Sequence, residues 1–304
     1  MTQNEAFQNL KPHDFILLGL YFLRDEISTL IYDILEVTLS YGIDRSIYDF
    51  FSAEVLDYGP VLIWAFIYFK RLNIQPKDLF IGTPLPSRRH FTHILTILLP
   101  LMFLSYGFAW LWSYPISLIY PDYMVEQLKE LSFITTKDTD FPLLYNVMDT
   151  IDTIFLAPFL EELLFRGILF QLWRKMWGFT EGLILSSLLF GLIHPDIPGA
   201  LLFGMVMCLL YVRTGSLLIP FVCHSTYNTI VTLWEVSWEN GQEALWTPIL
   251  QNLGLKVEDI YQPFNKTSFL FYGNGWISIL CLLISIPWIL WYLKKYWPKQ
   301  ESNY

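Results

Sequence analysis

The sequence predicts an all-α protein, a polytopic transmembrane bundle of about eight helices built as a single transmembrane domain over residues 1–304. Three observations predict it. Hydrophobic residues make up 54% of the chain and charged residues only 15%, where a soluble domain carries about 25% charge. The mean hydropathy is +0.41, and the apolar residues gather into segments near the roughly 20 residues needed to cross lipid. The chain also holds 12 Trp and 18 Tyr, side chains that favour the membrane–water boundary.

Helices are expected at about 15–39, 53–69, 92–112, 143–172, 181–194, 200–212, 216–236 and 273–293. Arg24, Asp25, Glu26, Asp33 and Glu36 interrupt the first, so it either spans or lies amphipathically in the interface. The polar stretches 121–142 and 238–268 read as loops. The fifth and sixth helices are short. At 1.5 Å per residue they reach about 20 Å, which predicts a hairpin turning at His194–Gly199 below the far surface. Irregular backbone at that depth is tolerated only against protein or a wet cavity.

Met1 to Asp14 is polar and lacks the basic start and cleavage site of a signal peptide, so the first hydrophobic helix is expected to direct insertion. Of the 19 basic residues, 12 fall on one side of this pattern, among them Lys70, Arg71, Arg174, Arg213 and Lys294. The opposite loops are acidic. The positive-inside rule then gives eight spans with both ends cytoplasmic. Cys208, Cys223 and Cys281 all lie in apolar segments and read as small core residues, not a disulfide frame or metal site.

Against this apolar background, Glu161-Glu162-Leu-Leu-Phe-Arg166 stands out. Glu162 and Arg166 are four apart, so they share a helix face and can pair. Pairing is also the plain structural reason for two charges in lipid. Glu161 is offset by about 100°, and an unpaired charge at mid-bilayer costs about 3 kcal/mol. Counted from Arg174, Glu181 and Gly215, the groups Glu161, His194 and Asn228 each lie about 20 Å deep, and His224 about 14 Å. Singly, His194 reads as a capping or core histidine, and His224 and Asn228 as interhelical glue. Together, in one layer, they can line a cavity. Phe190 and His194 repeat the four-residue spacing, as do His224 and Asn228.

A glutamate and a histidine around trapped water can activate it and carry a proton to a leaving amine. An amide and a second imidazole can donate to a developing oxyanion. That equipment suits peptide hydrolysis. The rival use is metal binding, with Glu161, His194 and His224 as zinc ligands and water in the fourth position. No His-Glu-x-x-His is present. Two further readings keep the pocket without hydrolysis. One is a membrane binder or immunity protein; the other is a transporter using Glu161 as a proton site, against which the lack of a repeated half argues.

Three ordered patterns, Glu161-Glu162-x-x-x-Arg166, Phe190-x-x-x-His194 and His224-x-x-x-Asn228, resemble those of the CPBP intramembrane proteases. That family is also called Abi or CAAX-protease and is related to the CAAX prenyl endopeptidase Rce1. The resemblance covers residues 161–228, with a family core expected at about 91–237. It implies Glu161 as the base, assisted by His194, with His224 and Asn228 as oxyanion donors and Glu162, Arg166 and Phe190 in support. It also implies no required cofactor, although the family was first described as metalloproteases. The expected partners are the lipid bilayer and a membrane-associated peptide or lipidated protein, with no nucleic acid. The expected location is a multi-pass position in a prokaryotic cell membrane.

Overall fold

The computed structural model describes residues 88–120, 142–194, 196–239 and 274–298, with isolated positions between 58 and 80. The helix expected at 15–39, most of the two polar loops and the count of eight spans lie outside the described residues. The described positions within 53–69 are helical. Among the described residues every regular element is a helix.

Helix α1 is Arg88–Ile119 and α6 is Asn274–Tyr296. They lie against each other along their length. Their inner faces bury Ile97, Leu101, Leu104, Ile289 and Tyr292, while Leu95, Leu99, Leu283 and Leu290 stay exposed on the outside. An apolar outer face of this kind is stable when the solvent is lipid. Pro100 and Pro115 in α1 and Pro287 in α6 are tolerated in membrane helices because neighbours and local register changes re-satisfy the freed carbonyls.

Helix α2 runs through residues 142–177 in five successive registers. It is α over Pro142–Ile151, π over Asp152–Leu156, α over Ala157–Glu161, π over Glu162–Leu169 and α over Phe170–Trp177. The expected helix over 143–172 is therefore present. Its two π segments carry no period that hydrophobic patterning reveals. Gly178, at φ 107° and ψ 169°, turns the chain into α3, Phe179–Leu192. Only glycine adopts such angles without strain.

Helix α4 is Ile197–Thr214 and α5 is Leu218–Glu239. α4 is the hub, touching α1, α3, α5, α6 and the second π segment of α2. It is apolar on every side, with Phe203, Val206, Met207, Leu209 and Leu210 buried, as a helix surrounded by protein must be. It is longer than the expected 200–212. Asp196 accepts a hydrogen bond from the Gly199 N–H at 3.1 Å, and a proline stands in the first turn. This capping starts the helix at Ile197. Its 18 residues then reach about 27 Å, so the expectation of a short sixth helix is corrected.

Thr92–Ala109, Ile197–Thr214 and Ile277–Tyr296 are long and apolar enough to cross a membrane. The start of the first and the ends of the other two lie together, because Arg213 meets both His93 and Tyr292. Phe179 packs edge-on to Trp297, which brings the α2–α3 turn to the same end. Arg88, Arg89, Arg174, Lys175, Arg213, Lys294 and Lys295 thus share one end of the bundle, the basic side that the loop charges predicted. Cys208 and Cys223 are buried, Cys281 is half-buried, and none is in a disulfide.

Candidate active site

Pro158 shapes the site from a distance. A helical proline has no N–H to donate four or five residues back. Its partners in those registers are the carbonyls of Ile154 and Thr153. Ala157, the remaining α-register donor for Thr153, instead bonds Asp152 O, as π geometry requires. Two carbonyls are thereby left for α5 to satisfy. Ser225 Oγ donates to Ile154 O at 2.5 Å, and Asn228 Nδ2 donates to Thr153 O at 2.8 Å. Buried backbone acceptors need such partners in a membrane, so these bonds fix α5 against α2 in one register.

That register sets His224, one turn before Asn228, between the two glutamates. His224 Nδ1 stands 3.0 Å from Glu162 Oε1, and His224 Nε2 stands 3.8 Å from Glu161 Oε2. The same Glu162 oxygen lies 3.1 Å from Arg166 NH1. Glu162 and Arg166 are sealed from solvent, at 0% and 1% exposed, whereas Glu161 keeps 15% of its side chain open. The adjacent carboxylates therefore differ in setting. One is consumed by an ion pair and an imidazole; the other faces the imidazole from an accessible wall.

Phe190 joins the remaining parts. The Arg166 guanidinium lies 4.3 Å over its ring, close enough for a cation–π contact. The His194 ring is 4.3 Å away and the His224 ring 5.8 Å. His194 Nδ1 makes a 2.7 Å hydrogen bond to Phe190 O. A carbonyl only accepts, so Nδ1 carries the proton and Nε2 keeps the lone pair of the neutral ring. Phe203 of α4 stacks on Phe190 at 5.9 Å and meets His224 edge-on at 4.9 Å.

Glu161, Glu162, Arg166 and His224 are brought into one polar cluster. His194 is joined through the Phe190 ring, and Asn228 shares the His224 face of α5 with one amide hydrogen committed to Thr153. The layer is that of Phe203, ten residues before Arg213, which places it about 15 Å from the basic end. The 20 Å counted for Glu161 along its own helix is too long, because Glu162–Leu169 is π-helical and rises less per residue. Sequence reasoning missed Phe203, Ser225 and the two α2 carbonyls. Phe203 is one apolar residue among many, but Pro158 three residues before Glu161 was a readable sign that carbonyls upstream needed donors.

Among the described residues no three His, Cys, Asp or Glu side chains converge as a metal-holding group. His224 keeps Nε2 toward Glu161, but His194 meets the cluster through the Phe190 ring. As placed, Glu161, His194 and His224 do not fit a shared zinc ion.

Residues 143–230 match the family model described as "Type II CAAX prenyl endopeptidase Rce1-like". A Bacillus subtilis (strain 168) protein named "Putative membrane peptidase YdiL" is 38% identical over 84 residues, covering 26% of this chain and 34% of that protein. An Escherichia coli protein named "Uncharacterized 24.3 kDa protein" is 35% identical over 98 residues, covering 29% of this chain and 45% of that protein. The chain thus spans less than half the length of either relative. No solved structure matches it. Residues 143–230, which hold all three motifs, are thus similar to the Rce1-like endopeptidases. The chain is an integral membrane protein.

Proposed function

We propose that this chain is a multi-pass intramembrane endopeptidase in which Glu161 activates water against a peptide bond. The observation that carries this reading is the unequal pair. Glu162 is sealed from solvent with its Oε1 shared between Arg166 and His224, while Glu161, the next residue, points a partly accessible carboxylate at His224. A base needs that access; a structural ion pair does not.

In the proposed step, water lies between Glu161 and His194 Nε2. Glu161 takes one proton as the water oxygen bonds the scissile carbonyl carbon. The carbonyl oxygen becomes an oxyanion, stabilised by the second amide hydrogen of Asn228 and, when both its ring nitrogens carry protons, by His224 Nε2–H on the same helix. The C–N bond then breaks, and the proton held by Glu161 passes to the leaving amine. Glu162 holds His224 by its Nδ1 side, which leaves Nε2 facing the reaction. Arg166 balances the charge of Glu162. The substrate class is a membrane-associated or lipidated peptide, in keeping with a site about 15 Å below the basic end.

The test compares membrane peptides from cells carrying the wild-type protein and Glu161→Gln by mass spectrometry. A cleavage product missing only in the variant supports the reading and identifies the substrate. Identical products, with biological function intact, leave a non-catalytic binding role for the pocket.

A further inference from the structure

Outside the site, one cluster gathers positive charge with no carboxylate partner among the described residues. Arg213, the last basic residue of α4, has its guanidinium carbon 3.6 Å over the Tyr296 ring centroid. Lys295 Nζ lies 5.2 Å from the same centroid and 4.4 Å from that of Trp291. The two cations are therefore no farther apart than the sum of their distances to one ring. Neither is paired with a carboxylate among the described residues.

Arg213 is also held in place. Its NH1 donates to His93 Nε2 at 2.7 Å and reaches Tyr292 OH at 3.5 Å. Arginine only donates, so His93 is the acceptor, and its ring stacks on Tyr292 at 5.7 Å. A guanidinium fixed by stacking and by two NH1 hydrogen bonds still has its Nε–H and NH2 groups to offer a ligand. Such a group binds phosphate with less ordering cost than a free side chain.

The place of the cluster specifies the source of the phosphate. His93, Arg213 and Lys295 lie at the terminal turns of the three apolar windows, Thr92–Ala109, Ile197–Thr214 and Ile277–Tyr296. Below them the outer surface is apolar and exposed, with Leu95, Leu99, Leu290 and Trp291 each at least half open. We propose that Arg213 and Lys295, framed by Tyr296 and Trp291, form a binding site for the phosphate of an anionic phospholipid whose acyl chains lie along the outer face of α1 and α6. Charge on the lipid headgroup meets the pair of cations, and the apolar strip below matches the tail.

The experiment uses the full-length protein in a neutral maltoside detergent. Its thermal unfolding is followed after adding phosphatidylglycerol, phosphatidylcholine or free glycerol phosphate. Phosphatidylglycerol should raise the unfolding temperature clearly more than phosphatidylcholine, and glycerol phosphate should add little. Arg213→Gln with Lys295→Gln should lose the phosphatidylglycerol increment while keeping the phosphatidylcholine one. Arg213→Lys, which keeps charge but not the planar fork, should retain only part of it. If the double variant does not fold, Lys295→Gln alone, an exposed change, should at least halve the increment. Equal shifts from the two lipids in the wild type, or an increment that survives the substitutions, would overturn the proposal. A full increment from glycerol phosphate would also overturn it, by making the ligand a soluble phosphate.

Discussion

Glu162 Oε1 sits 3.0 Å from His224 Nδ1, a buried contact that ties α2 to α5 across 62 residues of sequence. The same oxygen serves Arg166 at 3.1 Å, so one carboxylate neutralises a cation and orients an imidazole. Glu162→Ala should cost about 3–5 kcal/mol, because it strands a buried guanidinium. Arg166→Met should cost a similar amount by stranding the carboxylate. The double variant should cost much less than the two together, since neither charge is then left alone. Thermal unfolding in detergent gives the cycle, and simple additivity would show that the pair is not coupled.

One residue earlier, the expectation reverses. Glu161→Gln removes a partly accessible carboxylate and leaves the Glu162–Arg166 pair in place. Cleavage should fall by at least about 10²-fold, the lower range for general base catalysis, while the unfolding temperature stays near that of the wild type. Peptide turnover and thermal unfolding on the same preparation separate the two effects. A variant that unfolds as readily as Glu162→Ala would mean that both glutamates are structural.

The carbonyls freed near Pro158 give a conditional prediction. Ser225→Ala removes the donor to Ile154 O and should cost about 0.6–1.7 kcal/mol, the range for interhelical hydrogen bonds in membranes. In a Pro158→Ala background residue 158 regains an N–H for Ile154 O, so Ser225→Ala should there cost close to nothing. An unchanged penalty in both backgrounds would detach Ser225 from the proline.

Much of this arrangement was legible in the sequence because lipid makes polar residues conspicuous. Glu161, Arg166, His194, His224 and Asn228 stand out when almost every neighbour is apolar, and a rise of 1.5 Å per residue puts them near one layer. The register changes in α2 were not legible, since hydrophobic periodicity hardly distinguishes π from α over eight residues surrounded by protein. That is why the depth of Glu161 was overestimated and why the acceptors of Ser225 and Asn228 stayed hidden. The early start of α4 was missed for another reason. Asp196-Ile197-Pro198-Gly199 has the composition of a turn, and here it is also a capped first helical turn.

The hairpin of α2 and α3 depends on close approach. A Cβ on Gly182 would fall 2.5 Å from the backbone nitrogen of Arg174 and 2.8 Å from its Cα. Backbone cannot swing aside, so Gly182→Ala should cost about 1–3 kcal/mol as an overpacked site. Gly107 is the control. Its Cβ would meet the Leu282 side chain at 2.5 Å, which can change rotamer, and backbone only at Ser278 O, 3.0 Å away, so Gly107→Ala should cost less. Paired unfolding measurements decide the order, and a Gly107 penalty larger than that of Gly182 would show that α1 and α6 are the tighter contact.

A metal requirement can be tested without knowing the substrate. Zinc needs three protein donors on one point about 2.0–2.2 Å away for nitrogen and oxygen. His194, the third donor such a site would need, is linked to the cluster through the Phe190 ring. Elemental analysis of the purified protein should therefore find well under one zinc per chain, and incubation with 1,10-phenanthroline should leave the unfolding temperature and any identified cleavage unchanged. Stoichiometric zinc that disappears in His194→Ala and Glu161→Gln would require His194 to move past the Phe190 ring toward Glu161 and His224 Nε2, with His224 Nδ1 still held by Glu162. It would also move Glu161 from base to ligand, and the water would then be activated by the metal.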